Sequence, residues 1–157
     1  MTCWMSILLS VALPVLLVLG AQAFQHIGGL VPCEMCMWQR WPLYAAIVAG
    51  GLATASPSRL GTVLAALAAL LILSSGAIGL WQAGAEYHWW RGPQHCTGLA
   101  GCKGPDMLKC ILAAPLIQCD VPQWTLHGVS LAGFNAIISG IGGCAILLGL
   151  RRDVFRK

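Results

Sequence analysis

The sequence predicts an all-α membrane protein, a four-transmembrane-helix bundle with a short and a long periplasmic loop. Of the 157 residues, 58% are hydrophobic and only 9% are charged, whereas soluble domains carry about 25% charged residues. A chain of this length is expected to form one integral membrane domain over residues 1–157. The formal charge of +4 is small and no basic run exceeds two residues. We therefore do not expect nucleic-acid binding.

Charge-free intervals locate the helices, because a bilayer crossing needs about 20 mostly apolar residues. Residues 1–33, 41–58, 60–85 and 121–150 contain no Asp, Glu, Lys or Arg. Within these intervals we predict transmembrane helices at 7–24, 38–55, 61–83 and 128–150, and outward loops at 25–37 and 84–127. The second helix requires Met37–Arg40 as its interfacial end, with Pro42 tolerated in its first turn.

The first helix has an alternative interpretation as a signal peptide. The apolar run Ile7–Gly20 is followed by Ala21-Gln22-Ala23, which resembles a signal-peptidase site. Met1–Ser6 contains no Lys or Arg, however, and the start of such a peptide normally carries them. We therefore expect this segment to remain as a helix.

The basic tail after the fourth helix predicts the orientation. Arg151, Arg152, Arg156 and Lys157 form the densest basic cluster, and the positive-inside rule places such a cluster in the cytoplasm. Four crossings then place the N-terminus in the cytoplasm as well. In the inner membrane of a bacterium, both outward loops would lie in the periplasm, where disulfides persist.

Six of the eight cysteines fall in the two outward loops. Cys3 and Cys144 lie elsewhere, and we expect them to be inert. Cys33 and Cys36 form a C-x-x-C pair, a motif that lowers the pKa of a thiol and forms a reducible disulfide. The other four are in the long loop: Cys96, Cys102, Cys110 and Cys119.

Two other uses of these cysteines compete with thiol exchange. They could be static staples, or Cys33 and Cys36 could join two loop cysteines in a four-thiolate zinc site. Zinc usually takes a second closely spaced pair, and the chain has no other C-x-x-C. The pattern therefore favours exchange, and we expect no metal.

Arg40 follows Cys36 by four residues. On a helix the two side chains share a face. A guanidinium there would stabilise a Cys36 thiolate, or a negatively charged acceptor beside it. The alternative is an interfacial arginine whose head group reaches the membrane surface. Farther along, residues 104–117 have the spacing of a short amphipathic helix.

The segment Pro32-Cys33-Glu34-Met35-Cys36-Met37-Trp38-Gln39-Arg40 resembles the signature of the disulfide bond formation protein B (DsbB) family. Three later segments are similar to members of that family from alphaproteobacteria: Glu86–Cys96, Ala114–Asp120 and Trp124–Asn135. The likeness covers nearly the whole chain, including four helices and two outward loops.

The resemblance implies a membrane thiol–disulfide oxidoreductase. Such a protein reoxidises a periplasmic, thioredoxin-like thiol oxidase and passes the electrons to the membrane quinone pool, and we expect ubiquinone. By this resemblance, Cys33 and Cys36 are the membrane-proximal redox pair, with Cys36 next to the quinone. Cys96 and Cys119 match the loop pair that meets the soluble oxidase.

The resemblance also implies quinone-binding residues. Arg40 matches the quinone-associated arginine of the family. Some members carry a quinone-associated histidine late in the third helix or just after it. Glu86 and His88 fall in that neighbourhood, although neither aligns with it. Cys102 and Cys110 are additional to the family pattern, which raises a third disulfide or shuffled pairing as alternatives.

Two functions from other classes remain as alternatives. A vitamin K epoxide reductase-like enzyme also combines four helices with two cysteine pairs, but its C-x-x-C follows the loop pair, whereas here it precedes it. The other alternative is a non-enzymatic membrane module that is stapled by disulfides and binds a periplasmic partner.

Overall fold

Four long helices make up most of the chain that the structure describes. This structure is a computed structural model, and it describes residues 3–56, 58–92, 97–98 and 117–154. Within these residues the helices are α1 (Cys3–His26), α2 (Glu34–Ala55), α3 (Ser58–Glu86) and α4 (Leu131–Val154). The prediction of an all-helical protein is confirmed. Residues 104–116 of the predicted amphipathic helix lie outside the described residues, and its last predicted residue, Ile117, lies in a short strand.

Two short antiparallel pairs complete the described structure. Strand β1 (Thr97–Gly98) pairs with β2 (Ile117–Gln118), and β3 (Thr125–Leu126) pairs with β4 (Val129–Ser130). His127 and Gly128 connect β3 to β4 and have φ angles of 51° and 78°. Two central residues with positive φ are typical of a tight type I′ hairpin turn.

Three of the described helices are long and apolar enough to cross a membrane: Trp4–His26, Arg59–Glu86 and Leu131–Arg151. Helix α2 has 22 residues, which is also long enough to cross a hydrocarbon core of about 30 Å. It is less apolar because its first two turns carry Glu34, Gln39 and Arg40. Outward apolar side chains such as those of Leu16 and Ile141 are 66% and 69% exposed, as expected of helices that face lipid.

The helix ends differ from the predicted ones for local reasons. Helix α2 begins at Glu34 rather than near residue 38, because Cys33 is its N-cap and accepts a hydrogen bond from the Cys36 amide. Helix α4 begins at Leu131 rather than at residue 128, because the turn at His127 and Gly128 requires left-handed backbone that a right-handed helix excludes. Helices α1 and α3 extend two to four residues beyond the predicted ends.

Small side chains let the helices pack closely. The core of the bundle contains alanines from α2 and α3, with larger apolar groups from the other helices: Ala46, Ala49, Ala53, Ala65, Ala68, Ala69, Ile7, Ile146 and Leu150. At Gly79 of α3, an added Cβ would lie 2.9 Å from the Ala132 carbonyl oxygen of α4. Small residues therefore set the helix separation, as is usual in membrane bundles.

The β3–β4 hairpin is attached to the residue that follows α3, and the segment before the hairpin is attached to the loop before α2. The Tyr87 hydroxyl donates to the Gly128 carbonyl oxygen at 2.7 Å and accepts from the Ser130 amide at 2.9 Å. The Gln123 side chain donates to the Val31 carbonyl oxygen at 2.7 Å. These bonds hold the segment after Cys119 against the loop before Cys33.

We predict that Gly50→Ala destabilises the bundle. A Cβ at Gly50 would lie 2.7 Å from the Ser10 carbonyl oxygen of α1, so the two helices must separate at a cost of about 1–3 kcal/mol. Gly51→Ala is the matched control, because nothing lies within 4 Å of its added Cβ. Thermal unfolding in detergent measures both variants, and equal unfolding temperatures would contradict this packing.

Candidate active site

A cavity of about 380 Å³ lies among the four helices at the end where α2 begins and α3 ends. Both the loop before α2 and the segment before α4 contribute to it. Apolar side chains form most of the wall, among them an aromatic group in which Trp124 packs between Phe24 and Phe134. The polar side chains of the wall are Gln25, Cys33, Cys36, Gln39, Arg40, Gln82, Glu86, Gln123 and Asn135.

The two cysteines of the C-x-x-C motif lie at the start of α2. Cys33 is 2% exposed and Cys36 is half-buried, and both are free thiols. The Cys36 amide donates to the Cys33 sulfur at 3.1 Å. Backbone amides at a helix N-terminus carry partial positive charge, which favours an anion there. The local fold therefore suits a thiolate at this pair.

One of the two thiols ionises much more easily than the other. Both residues precede the predicted crossing at 38–55. A hydrogen bond from the Cys33 thiol lowers the pKa of Cys36 to about 6, with a further contribution from the Gln82 amide and against the effect of burial. The same bond, together with burial, raises the pKa of Cys33. Cys36 is therefore the thiolate of the reduced pair at neutral pH.

Gln82 of α3 connects the thiols to other polar groups. Its side-chain nitrogen lies 3.5 Å from the Cys33 sulfur and 3.6 Å from the Cys36 sulfur, and it donates to Glu86 Oε1 at 3.0 Å. Its oxygen accepts from Gln39 at 2.6 Å. Asn135 of α4 in turn donates to the Gln39 oxygen at 2.7 Å.

No role was predicted from the sequence for Gln39, Gln82 or Asn135. The signal was present in the sequence, because amide side chains within predicted membrane helices usually face the protein interior. What the sequence could not show is that three amides from three different helices meet beside the cysteine pair.

Arg40 lines the cavity and is only 7% exposed. Its guanidinium donates to Gln25 Oε1 at 2.6 Å and to the Ala21 carbonyl oxygen at 3.4 Å. In the hydrogen bonds that the described residues form, Arg40 is thus joined to α1, and Gln82 is the polar neighbour of Cys36. Arg40 and Cys36 line the same cavity, and the stabilisation of a Cys36 thiolate by the guanidinium stays a prediction.

Glu86 and His88 are placed differently with respect to the cavity. Glu86, the last residue of α3, is 9% exposed and lines the cavity. Its Oε2 atom is buried and has no hydrogen-bond partner among the described residues, and the Ser130 hydroxyl is the other polar group near this carboxyl. His88 is exposed, with a φ angle of 58°, and lies outside the cavity wall. Their roles toward a quinone stay predictions.

Cys119 lies against the C-x-x-C pair. It is 4% exposed and disulfide-bonded. It packs in one buried cluster with Cys33 and Met35. Cys96 lies outside the described residues, as do Cys102 and Cys110, so the pairing of Cys96 with Cys119 stays a prediction.

The described part of the chain contains no group of three or more His, Cys, Asp or Glu side chains that could hold a metal ion. Cys144 is a free, exposed thiol on α4. The chemistry that these residues can support is thiol–disulfide exchange between a buried pair and a neighbouring disulfide.

The family model described as Disulfide bond formation protein DsbB matches residues 4–149. A protein named Disulfide bond formation protein B from Verminephrobacter eiseniae is 32% identical over 158 residues, covering 94% of this chain and 85% of that protein. A protein of the same name from Albidiferax ferrireducens is 32% identical over 149 residues, covering 87% of this chain and 80% of that protein. No solved structure matches the chain at a significant level.

A full-length family match, relatives of similar length and a buried C-x-x-C pair beside a cavity agree with one another. The chain therefore belongs to the disulfide bond formation protein DsbB family.

Proposed function

We propose that the Cys33–Cys36 pair carries electrons from a periplasmic thiol oxidase to a quinone bound in the cavity. As a member of the DsbB family, the protein is a membrane disulfide oxidoreductase that reoxidises a DsbA-like thiol oxidase. The assignment of Cys33 and Cys36 to this role is supported by one observation. A buried thiol pair borders a cavity of about 380 Å³ and packs against Cys119.

The route begins at the loop cysteines. A thiolate of the reduced partner attacks the Cys96 sulfur of a Cys96–Cys119 disulfide, and Cys119 leaves as a thiolate. The second partner thiol then attacks Cys96, so that the partner leaves as a disulfide and Cys96 as a thiol. The partner has been oxidised by two electrons and the loop pair has been reduced.

The second exchange passes the electrons to the membrane-proximal pair. The Cys119 thiolate attacks Cys33 of the Cys33–Cys36 disulfide, and Cys36 leaves as a thiolate. Cys96 then attacks Cys119, which restores the loop disulfide and releases Cys33. The shared burial of Cys33 and Cys119 supports this order, and the low pKa of Cys36 makes it the better leaving group.

The cavity fits a quinone ring in size and chemistry. Its volume is in the range of small-molecule sites, about 300–1,000 Å³. Aromatic and aliphatic side chains would hold the ring, and Arg40, Glu86 and the cavity amides would hold its two oxygens. When bound, a quinone would accept the two electrons of the reduced pair. The Cys33 thiol would supply one proton and water the other, because Cys36 is already a thiolate. We propose ubiquinone as that quinone.

The orientation follows from the same proposal. The partner oxidase is periplasmic, so the loops that carry Cys33 and Cys119 face the periplasm of a bacterial inner membrane. Residues 38–55 of helix α2 are the fourth crossing, and both termini are cytoplasmic. The periplasmic loops are then about 25–37 and 84–127. Charged side chains within membrane-crossing helices usually face the interior of the bundle rather than lipid. The burial of Arg40 supports α2 as a crossing helix, because its side chain is in that position.

The first test of the function separates the loop cysteines. We predict that Cys96→Ser and Cys119→Ser each abolish oxidation of a reduced thioredoxin-like oxidase with ubiquinone as acceptor, because either change breaks the route. Cys33→Ser and Cys36→Ser should also be inactive. The purified protein in detergent is assayed by the loss of quinone absorbance.

Two further variants act as controls. Cys144→Ser should retain full activity, and the double variant Cys102→Ser, Cys110→Ser should retain much of it. If the double variant is inactive while Cys96→Ser works, the loop pair has been misassigned. Wild-type protein that binds the reduced oxidase but never reduces quinone would be a binding module instead.

A second prediction concerns pH. Because only the thiolate reacts with iodoacetamide, alkylation of Cys36 in the reduced protein should fall to half its maximal rate near pH 6, and it should stay fast above that pH. Cys33→Ala removes the hydrogen-bond donor, so the half-maximal pH should rise, whereas Cys33→Ser keeps a hydroxyl donor and should shift less. Site-resolved mass spectrometry gives the rates. A wild-type value at the ordinary thiol pKa of about 8.5 would contradict the assignment.

The third prediction concerns Arg40. Arg40→Lys keeps a positive charge but loses the planar set of donors, so quinone-dependent turnover should fall about 10- to 100-fold, the equivalent of a charged hydrogen bond. Thermal unfolding should change less. Arg59→Ala, at an exposed arginine at the start of α3, is the control for loss of charge. Unchanged quinone kinetics in Arg40→Ala would make Arg40 a structural anchor to α1.

A further inference from the structure

Three buried or partly buried amide side chains form a continuous chain of hydrogen bonds across the bundle. We name it the amide chain, and it consists of Asn135, Gln39 and Gln82. Asn135 donates to the Gln39 oxygen at 2.7 Å, and Gln39 donates to the Gln82 oxygen at 2.6 Å. At the far end, the Ser139 hydroxyl donates to the Asn135 oxygen at 3.0 Å. Each member thus accepts at its oxygen and donates from its nitrogen.

The direction of the amide chain is determined by a backbone group. The Asn135 nitrogen lies 3.3 Å from the Ser75 carbonyl oxygen, and a carbonyl oxygen can only accept. The Asn135 oxygen therefore faces Ser139, and its nitrogen faces Gln39. Reversing either glutamine would bring two donors or two acceptors together. The whole chain therefore points its donors toward Gln82.

The donor end of the amide chain lies at the cysteine pair. One hydrogen of the Gln82 amide is directed to Glu86 Oε1 at 3.0 Å. The other is shared between the Cys33 and Cys36 sulfurs, at 3.5 and 3.6 Å. Amides that accept and donate in sequence polarise one another, so the last N–H becomes a stronger donor, and low-dielectric surroundings enlarge the effect.

We propose that the amide chain stabilises the negative charge on Cys36 when the Cys33–Cys36 disulfide is opened. No bond is made or broken by the amides: Cys36 gains the electron pair as a leaving group, and Gln82 donates to the resulting thiolate. Asn135 and Gln39 act through Gln82 and are positioning residues. The identity of Cys36 as the released thiolate rests on the proposed function.

Other charged and titratable groups surround Cys36. Cys33 lies beside it, Arg40 is on the same helix and cavity wall, and Glu86 faces it from α3. An ionised Glu86 opposes a thiolate through like charge, and Gln82 donates to both groups. The amide chain is therefore the part of the site whose contribution can be removed without changing a charge.

The test measures Cys36 alkylation against pH in the reduced protein, with neither quinone nor partner present. Gln39→Met interrupts the amide chain without touching either cysteine. It should raise the half-maximal pH by about 0.3–0.5 unit through lost polarisation. Gln82→Met should raise it by about 1 unit, because the direct bond is lost. Asn135→Leu and Ser139→Ala should give smaller shifts in the same direction.

Gln22→Met is the matched control. Gln22 is a half-buried glutamine of α1 that lies outside both the amide chain and the cavity wall. Its half-maximal pH should equal that of the wild type. Thermal unfolding identifies any variant that fails to fold. If the larger substitutions do not fold, the shift in Ser139→Ala, which removes one hydroxyl at the far end of the amide chain, tests the proposal.

Two outcomes would overturn the proposal. If Gln39→Met, Asn135→Leu and Ser139→Ala all keep the half-maximal pH of the wild type, then the rest of the amide chain contributes nothing and only Gln82 affects Cys36. An equal shift in Gln22→Met would show that any loss of a glutamine amide from the bundle raises the half-maximal pH. Failure of the quinone and partner assays with the alkylation shifts intact would instead count against the proposed function, so the two can be told apart.

Discussion

The contact between Gln82 and the two sulfurs of the C-x-x-C pair joins the proposed redox pair to the helix bundle. Gln82 is on α3, whereas the cysteines begin α2, so the bond requires both helices to reach the same depth. A buried amide that lost these partners would cost about 1–3 kcal/mol. Gln82 also bonds to Gln39 of α2 and to Glu86 of α3. These bonds likewise require α2 and α3 to keep their positions along the bundle axis. The chemistry and the packing of α2 against α3 therefore depend on one another.

The buried Gln, Arg and Glu side chains of the described bundle lie around one cavity, whereas buried serines such as Ser6 and Ser10 lie outside its wall. Water is not available in the bilayer to bond such side chains, so they must bond to groups of the protein. Arg40 is buried at the cavity with neutral partners on α1. Glu86 Oε2, buried and unpartnered among the described residues, is the exception. A site with spare polar capacity and apolar walls is suited to an amphipathic ligand.

The segments before α2 and α4 bring Cys119 next to Cys33. Tyr87 bonds to both sides of the hairpin turn, and Gln123 bonds to the backbone just before Pro32. These contacts keep the segment that begins at Cys119 close to Cys33. The positive φ of Gly128 allows the tight turn that delays the start of α4. A local turn thus determines which residues reach the cavity from the fourth helix.

The sequence by itself determined the elements that depend on composition and spacing. Charge-free apolar intervals located the four helices, and the spacing of Cys33, Cys36 and Arg40 predicted a redox motif, because both signals are local in the chain. Only the tertiary structure decided that Arg40 bonds to α1 and that Cys119 packs against Cys33. It also decided that Gln82 and Asn135 belong to the site. Helix rotation and depth bring these distant residues together, and both are set by small side chains packing between helices, which no single segment encodes.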